Sequence, residues 1–337
     1  MTQTETSLPD PVLWNDWHPV AYANSVAPGS QHKIELLDHD FVLWRQNDGT
    51  LHAWDDRCPH RGAAFTLGKV VDDQLACAYH GWRFDGSGRC TLRPAQPGSA
   101  LPPRVMIKAH HVRERYGVVW LCPGEPARDV VPYEEYDDPR LRNIFAGPYD
   151  VNACAPRVVE NFIDMAHFSF VHVGILGDPE VTEILPYEAE TFVDGSGQPG
   201  VRAVDLRVMQ PRSNLQAEQN SDVVYTYRVS RPLLSILTKE VVGSGVPEGI
   251  TLFVQPMSEV RSRVYMIFSA VQADEPESAV LAFQDEIFHQ DGPVLESQRP
   301  RRMPLDPREE VSQKADALSV AYRRYLRDCG LQYGVIR

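Results

Sequence analysis

The amino-acid sequence predicts a two-domain α+β protein, in which an all-β domain precedes a domain of antiparallel strands and helices. Between residues 41 and 122, short apolar runs are broken by Gly, Pro and Asp, as in small sheets joined by hairpins. An acidic, Pro-rich stretch at 123–139 then shifts the composition and indicates a linker. Strand-like alternation and two long helical patterns follow it. We therefore expect domains at residues 1–125 and 126–337.

Composition limits the classes of partner. The 337 residues are 43% hydrophobic and 23% charged, which is typical of a globular protein, and the net charge is -13. No basic stripe is present to neutralise phosphates, so the sequence argues against nucleic-acid and membrane partners and favours a small molecule. Residues 1–11 lack the features of a signal peptide, and no apolar run reaches membrane-spanning length. We expect a cytoplasmic protein, with Cys90, Cys122, Cys154 and Cys329 as ordinary reduced thiols.

Two short segments each pair a cysteine with a histidine. Cys58-Pro59-His60 is followed, after sixteen residues, by Cys77-Ala78-Tyr79-His80. Two Cys on one iron and two His on the other are the ligands of a Rieske [2Fe–2S] cluster. A structural zinc site is the alternative, but zinc spacings usually place Cys with Cys and His with His. Cys58, His60, Cys77 and His80 are therefore predicted to hold a cluster.

Residues 58–82 resemble the Rieske domain of the ring-hydroxylating and demethylating non-haem iron oxygenases, and the similarity runs along most of the chain. Gly62 and Gly81-Trp82, which flank the two loops, belong to the resemblance. It implies an N-terminal Rieske domain followed by a helix-grip catalytic domain, whose curved antiparallel sheet surrounds a second, mononuclear iron.

The segment 160–172 contains the second constellation. Asp164 and His167 are three residues apart, about 60° round a helix, so the carboxylate can reach and orient the imidazole. His167 and His172 are five apart, about 140° round an ideal helix, which is too divergent for one metal. We infer that the helix widens or ends between them. On their own, two His on an apolar segment are more often core residues.

The same segment resembles the Asp-x2-His-x4-His motif of Rieske oxygenases, in which the two His, here His167 and His172, bind mononuclear Fe(II). Two His and one carboxylate are the ligand set of O2-activating Fe(II). The acidic candidates for the third ligand are Asp285, Glu286, Asp291 and Glu296. Similarity of residues 291–298 to the family selects Asp291. Because Gly292-Pro293 follows it, Asp291 also fits the N-cap of a restarting helix.

Asp164 has a further role that only the resemblance implies. In the family, the equivalent Asp lies between a Rieske His of one subunit and an iron-ligand His of the next, here His80 and His167. Such a connection requires a head-to-tail ring, usually a homotrimer, whose interface the sequence cannot reveal. Asp164 and Asn161 are thus the candidate catalytic residues beside the iron.

The second domain is predicted to open with a helix at 157–173. Strands are expected at 187–193, 201–209, 223–231, 251–257 and 263–272, and helices at 276–298 and 308–328. The run Gly195 to Gly200 matches G-x-G-x-x-G, but a strand-like segment follows it, so it predicts a hairpin and no dinucleotide site. Electrons must then come from another protein, and we expect a separate NAD(P)H-dependent reductase, with or without a ferredoxin between the two.

These expectations describe the terminal oxygenase of a Rieske monooxygenase system. The residues 139–142, 162–172 and 296–298 resemble single-subunit oxygenases such as vanillate O-demethylase, toluenesulfonate methyl-monooxygenase, caffeine N-demethylases and saxitoxin-pathway hydroxylases. This resemblance favours O2-dependent hydroxylation or O-/N-demethylation of a small aromatic or heterocyclic molecule. A ring-dihydroxylating dioxygenase and an electron carrier with a ligand-binding domain are the alternatives. The predicted substrate-binding residues are Asn161, Val173, Ile175, Leu176, Tyr225 and Gln255, and Arg207, Arg212 and Arg228 are weaker candidates for holding an anion.

Overall fold

The computed structural model of the chain describes residues 10–99, 105–212, 220–271 and 276–337. The N-terminal residues 1–9, where no signal peptide is expected, and the predicted strand end at residue 272 lie outside these ranges. The chain divides into two compact units, Met1–Val130 and Val131–Arg337. Each has its own sheets and its own core.

The described part of the first unit consists of β-strands, one turn of α-helix and two short 3-10 turns. Its elements are α1 (Pro11–Trp14), β1 (His18–Tyr22), β2 (Gln31–Leu36), β3 (His39–Arg45), β4 (Leu51–Asp55), β5 (Lys69–Val71), β6 (Gln74–Ala76), β7 (Arg83–Phe84), β8 (Cys90–Leu92), β9 (Ala109–Arg115) and β10 (Val118–Cys122). Six strands form an antiparallel sheet in the order β1-β10-β9-β4-β3-β2, and the other four form β5-β6-β7-β8. The predicted all-β domain is confirmed.

The core beneath the smaller sheet is aromatic. Trp44, Trp54 and Phe84 are fully buried there, and Cys58 and Cys77 belong to the same cluster of buried side chains. Trp44 and Trp54 meet edge to face, with ring centroids 4.9 Å apart, a favoured geometry for aromatic pairs. This core fixes the bases of the two loops that carry the Cys and His residues.

The second unit is built on one long antiparallel sheet. Its elements are β11 (Leu141–Val151), α2 (Ala155–Ile163), α3 (Phe168–Val171), β12 (Ala189–Val193), β13 (Pro199–Gln210), β14 (Ser221–Arg231), β15 (Leu234–Val241), β16 (Glu248–Ser258), β17 (Arg261–Val271), α4 (Glu277–Ser297), β18 (Met303–Pro304), α5 (Ala317–Cys329) and β19 (Val335–Ile336). The sheet order is β11-β17-β16-β15-β14-β13-β12, and β18 pairs with β19 in parallel. The predicted α+β architecture is confirmed.

Several predicted elements are wrong. The first strand of the unit is β11, which was missed because Gly147-Pro148 interrupts its pattern and a register shift lies there. Strand β15 was missed because Pro232 follows β14 directly, yet Arg231 pairs with Leu234 across a tight hairpin. Helix α5 begins at Ala317 instead of residue 308. The hairpin predicted at Gly195 to Gly200 is confirmed, since Val193 pairs with Pro199.

Ion pairs fasten α2 to α5. Arg323 donates from Nε and Nη2 to the two carboxylate oxygens of Glu160, at 2.6 and 2.8 Å, and also reaches Glu310 at 2.7 Å. Arg157, which is buried, donates to the other oxygen of Glu310 at 2.5 Å. Bidentate pairs of this kind fix orientation as well as distance. They hold the end of α2 from which the Asp164 to His172 segment begins.

No helix within the described residues is long and apolar enough to cross a membrane.

Candidate metal centres and substrate cavity

The two Cys–His loops have matching backbone geometry. The amide of Gly62 donates to the carbonyl of Cys58 at 2.8 Å, and the amide of Gly81 donates to that of Cys77 at 3.0 Å. Both glycines have positive φ, at 73° and 66°, a region that side chains with a Cβ rarely enter. The pattern Cys-x-His-x-Gly and Cys-x-x-His-Gly is therefore a requirement of two tight turns that bring four potential ligands together.

Within these loops the sulfurs lie inside and the imidazoles outside. Cys58 and Cys77 are buried, whereas His80 is exposed and His60 is partly exposed. The two imidazole centroids are 4.5 Å apart, and Trp82 stacks on His60 at 4.4 Å. Nδ1 of His60 is buried and has no hydrogen-bond partner among the described residues. A buried nitrogen without a partner fits a ring whose lone pair serves as a metal ligand.

The thiols also fit this use. Burial is the main effect that raises the pKa of Cys58, to about 11, so without metal it stays protonated. An iron ion would supply the positive charge that stabilises the thiolate. Two sulfurs on the core side and two imidazoles on the solvent side suit the unequal ligation of a [2Fe–2S] cluster.

The second constellation lies where a helix breaks. Helix α2 ends at Ile163, and its C-cap Asp164 has an extended backbone. The single-turn helix α3 follows, with His167 as its N-cap and His172 as its C-cap. The break therefore precedes His167 instead of falling between the two histidines. His167 and His172 lie at the two ends of this single turn. Their side chains therefore do not diverge by the angle expected within a continuous helix, and the two imidazoles face the same point.

Three potential ligand atoms meet there. Nε2 of His167 and Nε2 of His172 are 3.2 Å apart, and Oδ1 of Asp291 lies 3.5 and 3.2 Å from them. Adjacent ligands on one face of an octahedron, with bonds slightly above 2 Å, are separated by about 3 Å. The triangle formed by these residues has that size and leaves its other side open. Its donor set fits Fe(II) with positions available for O2.

The hydrogen bonds behind the imidazoles fix their tautomers. Oδ2 of Asp164 accepts from Nδ1 of His167 at 2.9 Å, and Oε1 of Gln290 accepts from Nδ1 of His172 at 2.7 Å. Burial opposes ionisation of Asp164, but the hydrogen bonds from His167 and Ala166 hold its pKa below the usual value, so it accepts as a carboxylate. The Nε2 lone pairs then face each other, an arrangement that a cation between them stabilises.

Asp291 lies within the continuous helix α4, although Pro293 follows, so the alternative of an N-cap at a helix restart is wrong. It also accepts from Nδ2 of Asn161 at 3.2 Å. The other acidic candidates have separate partners or face solvent. Tyr149 donates to Asp285, Asn152 donates to Glu296, and Glu286 is exposed.

A cavity of about 450 Å³ opens onto the three potential ligands. This volume is in the range of small-molecule sites, and most of the lining side chains are apolar or aromatic. Of the predicted substrate-binding residues, Asn161, Leu176 and Tyr225 line it.

The other three predicted pocket residues do not line this cavity. Val173, just after His172, is half exposed to solvent, and Ile175 is buried in the core. Gln255 lies on the opposite face of β16 from the lining residues Ile250 and Leu252, where Tyr265 donates to it at 3.1 Å. Successive side chains of a strand point to opposite faces, so Gln255 does not share the face of Ile250 and Leu252 that lines the cavity.

The arginines proposed as weak anion sites also lie elsewhere. Arg228 donates to Glu135 and to Thr238, Arg212 lies over the ring of Phe283, and Arg207 is exposed. The structure instead places Lys239 in the cavity wall and Gln290 behind His172. Spacing gave no signal for Gln290. The sequence did contain a signal for Lys239. It is the charged residue among Leu237, Lys239 and Val241, whose alternate positions place them on one face of an apolar strand.

Comparison with known proteins agrees with this geometry. Residues 16–108 match the family model "Rieske [2Fe-2S] domain", and residues 151–330 match "Vanillate O-demethylase oxygenase C-terminal domain". Methylxanthine N1-demethylase NdmA of Pseudomonas putida is 32% identical over 324 residues, which cover 93% of this chain and 88% of NdmA. This chain belongs to the Rieske non-haem iron oxygenases.

Further members of the family support the assignment. Probable methylxanthine N7-demethylase NdmC of Pseudomonas sp. (strain TJI-51) is 37% identical and covers 66% of this chain and 78% of its own. The solved structure of P. putida NdmA with caffeine superposes with a TM-score of 0.82 at 30% identity, covering 94% of this chain and 90% of that one. The Rieske oxygenase described here is thus the terminal oxygenase of a monooxygenase system, which uses a [2Fe–2S] cluster and mononuclear Fe(II).

Proposed function

We propose that this Rieske oxygenase removes an N- or O-linked methyl group from a small planar aromatic or heterocyclic molecule. The observation that carries the proposal is the cavity, whose aromatic and aliphatic walls enclose about 450 Å³ directly beside His167, His172 and Asp291. A flat apolar ring fits such walls, and a methyl carbon can reach the open side of the ligand triangle. The names of relatives such as methylxanthine N1-demethylase NdmA support this class of substrate.

In this proposal the metal ligands are those predicted from the sequence. Cys58, His60, Cys77 and His80 hold the [2Fe–2S] cluster. His167, His172 and Asp291 hold Fe(II), which supplies O2 activation when it is bound.

The chain's other residues orient these groups. Asn161 donates to Oδ1 of Asp291 and so limits which carboxylate oxygen faces the metal. The aromatic residues Phe162 and Tyr227, whose rings meet edge to face at 5.8 Å, exclude water from the cavity and guide the substrate ring. The overall reaction converts a methyl ether or methylamine, O2, two electrons and two protons to the demethylated product, formaldehyde and water.

Electrons come from a separate NAD(P)H-dependent reductase, with or without a ferredoxin. The exposed residues His80 and Tyr79, the latter with 60% of its surface accessible, offer an entry point at the cluster. Oxidoreductase NdmD of P. putida is 26% identical over 236 residues, which are 36% of its length, and its name supports a dedicated reductase.

The electron then passes through His80, Asp164 and His167. Asp164 is hydrogen-bonded to His167 at 2.9 Å, as this path needs. In this proposal the path joins two subunits in a head-to-tail homotrimer, an arrangement that the family resemblance implies. We place the assembly in the cytoplasm.

A single-turnover experiment tests the demethylation without requiring the natural reductase. Dithionite-reduced protein, freed of excess reductant, is mixed with O2 and either caffeine, 4-methoxybenzoate or 4-methoxybenzamide, each carrying a 13C-labelled methyl group. Labelled formaldehyde from at least one of them is expected, and Asp291→Ala serves as the inactive control. A labelled alcohol without formaldehyde would instead indicate methyl hydroxylation. A cis-dihydrodiol would overturn the proposal in favour of dioxygenation.

A further inference from the structure

One tyrosine hydroxyl in the wall of the substrate cavity has no hydrogen bond to any described residue. Tyr227 lies on β14, is 1% exposed and lines the cavity. Its contacts in the described part of the chain are ring contacts with Phe162 and Tyr225. Removing a hydroxyl from water without giving it a partner is costly, so buried phenols are usually paired. An exception in a cavity wall points to a partner that the ligand supplies.

Other buried tyrosines of the same unit do have partners. Tyr322 donates to the carbonyl of Pro232 at 2.7 Å. Tyr225, two residues before Tyr227 on the same strand, accepts a hydrogen bond from Nε2 of Gln210. A phenylalanine at position 227 would give the cavity the same aromatic surface, so the oxygen of Tyr227 itself needs an explanation.

The ring of Tyr227 is held in one orientation. The rings of Phe162 and Tyr225 lie 5.8 and 5.7 Å from it and meet it nearly at right angles, at 84° and 85°. This edge-to-face arrangement is favoured for aromatic pairs. On the neighbouring strand Tyr227 pairs with Leu237, which also lines the cavity. Because its neighbours fix the ring, a ligand that bonds to the hydroxyl loses little binding energy to ordering it.

Tyr227 lies towards the potential iron ligands. Its neighbour Phe162 follows Asn161 in α2, and Asn161 donates to Asp291 at 3.2 Å. Burial raises the pKa of Tyr227 well above its usual value, and the charges of Asp164 and Asp291 contribute to the rise. The hydroxyl therefore stays protonated at neutral pH and can donate a hydrogen bond.

The surroundings of Tyr227 favour an uncharged acceptor. Leu237, Ile250 and Phe268 line the cavity on the same wall and suit a flat apolar ring. An anionic group beside the hydroxyl would be repelled by the nearby carboxylates of Asp164 and Asp291. A carbonyl oxygen or an unprotonated ring nitrogen accepts the hydrogen bond without bringing a charge into the cavity.

We propose that Tyr227 is a specificity-determining residue that donates a hydrogen bond to a carbonyl oxygen or a ring nitrogen of the substrate. This inference rests on the proposed demethylation and narrows its substrates to heterocycles and aromatic carbonyl compounds. The competing explanations are a hydroxyl that binds only a fixed water and a hydroxyl whose partner belongs to the protein.

The test replaces single CH groups of one probe by nitrogen. The reference probe, 2-methoxynaphthalene, has no acceptor in its rings. In 6- and 7-methoxyquinoline and in 6- and 7-methoxyisoquinoline, one nitrogen occupies each position of the unsubstituted ring in turn. Equilibrium dialysis with the purified holoprotein measures the affinity of each nitrogen probe relative to the reference. For at least one of them this ratio should be about fivefold or more lower in Tyr227→Phe than in wild type, the scale of one net hydrogen bond.

A matched control removes a hydroxyl elsewhere on the same sheet. Tyr265 is also buried, but its hydroxyl donates to Gln255 on the face away from the cavity, so Tyr265→Phe should keep all four ratios. Unchanged ratios for every nitrogen probe in Tyr227→Phe would overturn the proposal and leave the hydroxyl to a fixed water. So would the absence of measurable binding of all four nitrogen probes to wild type.

Thermal unfolding without ligand tests for a partner within the protein. Removing a hydroxyl that is bonded to another protein group leaves that group unsatisfied and destabilises the fold. Tyr227→Phe is therefore expected to unfold at a temperature no lower than that of wild type. A clear decrease would reveal a protein partner and overturn the proposal.

Turnover distinguishes failure of this inference from failure of the proposed reaction. If the probes release formaldehyde, and Tyr227→Phe leaves the kcat/KM of each nitrogen probe relative to the reference unchanged, the reaction stands and the tyrosine assignment is wrong. If Tyr227→Phe lowers the relative affinity for a nitrogen probe, but no methylated probe yields formaldehyde, the assignment stands and demethylation is wrong.

Discussion

Nδ1 of His172 lies 2.7 Å from Oε1 of Gln290, and this hydrogen bond determines which nitrogen of the imidazole is left for a metal. Because an amide oxygen only accepts, Nδ1 carries the proton and Nε2 presents its lone pair to the side where Asp291 lies at 3.2 Å. Asp164 fixes His167 in the same way. Both imidazoles are therefore held in the metal-binding tautomer by side chains that are not themselves ligands.

Replacing Gln290 by Leu should weaken iron binding at the mononuclear site. Without the acceptor, His172 can rotate or change tautomer, and loss of such a partner typically costs about 10–100-fold in metal affinity. Metal analysis should show iron falling from three towards two atoms per chain after dialysis, while the visible absorption of the cluster is unchanged. Gln290→Glu retains an acceptor and is the control that should keep its iron. Equal iron in the Leu variant would contradict this role.

Asp291→Ala should remove the mononuclear iron and all turnover but leave the cluster intact. The loss of one ligand of three leaves an open site with two neutral imidazoles and no negative charge to hold the metal. Iron analysis and the electron paramagnetic resonance signal of the reduced cluster report the two sites separately. Retention of iron in Asp291→Ala, together with its loss in Asp285→Ala or Glu296→Ala, would show that a different carboxylate is the ligand.

Asp164→Asn should leave both metals largely bound yet slow the electron transfer between them. The residue is predicted to be a ligand to neither metal, and the amide oxygen of Asn can still accept from His167. It cannot supply the negative charge of the carboxylate, so single-turnover reoxidation of the reduced cluster by O2 and substrate should be slower by about 10–100-fold or more. Stopped-flow absorbance measures this rate, and a wild-type rate would exclude Asp164 from the path.

Mixed assemblies test whether that path joins two subunits. His80→Ala disables the cluster and His167→Ala disables the iron site, so each variant alone should be inactive. When the two are co-expressed in one ring, an intact cluster can face an intact iron across an interface, and part of the activity should return. Mass spectrometry of the intact assembly verifies the mixture. Absence of activity in verified mixed rings would argue against the head-to-tail arrangement.

Replacing Arg323 by Met should destabilise the second unit. The change leaves Glu160 and Glu310 near each other with less compensating charge, next to the largely buried Arg157. Breaking a fully buried pair costs about 3–5 kcal/mol, and partial exposure here lowers our expectation to about 2–3 kcal/mol. Thermal unfolding should then occur about 5–10 °C earlier. The control variant Arg324→Met, at the exposed neighbouring position, should unfold at the same temperature as the wild type.

Local spacing predicted the residues of both metal centres more readily than it predicted the cavity. Cys58 and His60, like Cys77 and His80, lie in single turns whose shape depends on a glycine. Their spacing along the chain therefore nearly determines their positions in space. Asp164 and His167 are also local partners. Asp291 could be chosen among four carboxylates only through resemblance to a family, because its position depends on how α4 packs against α2.

The cavity wall depends on strand register, which spacing alone does not define. Lys239 faces the cavity because β15 pairs with β14 and β16 in one particular register, and a shift of one residue would turn it away. The alternation of side chains along β16 likewise explains why Gln255 was predicted to line the cavity but does not. Gln290 was missed because neighbouring residues on a helix point in different directions, and only the docked helix shows which of them meets His172.

Asn161 and Asp291 touch although 130 residues separate them in the sequence. A metal held by His167, His172 and Asp291 would therefore act as a cross-link that closes a long loop of the chain, containing six of the seven strands of the large sheet. Such a closure limits the freedom of the unfolded chain and ties metal affinity to folding. Synthesis from the N-terminus completes both predicted cluster loops early, whereas Asp291, the predicted third ligand of the iron, becomes available only when α4 has emerged.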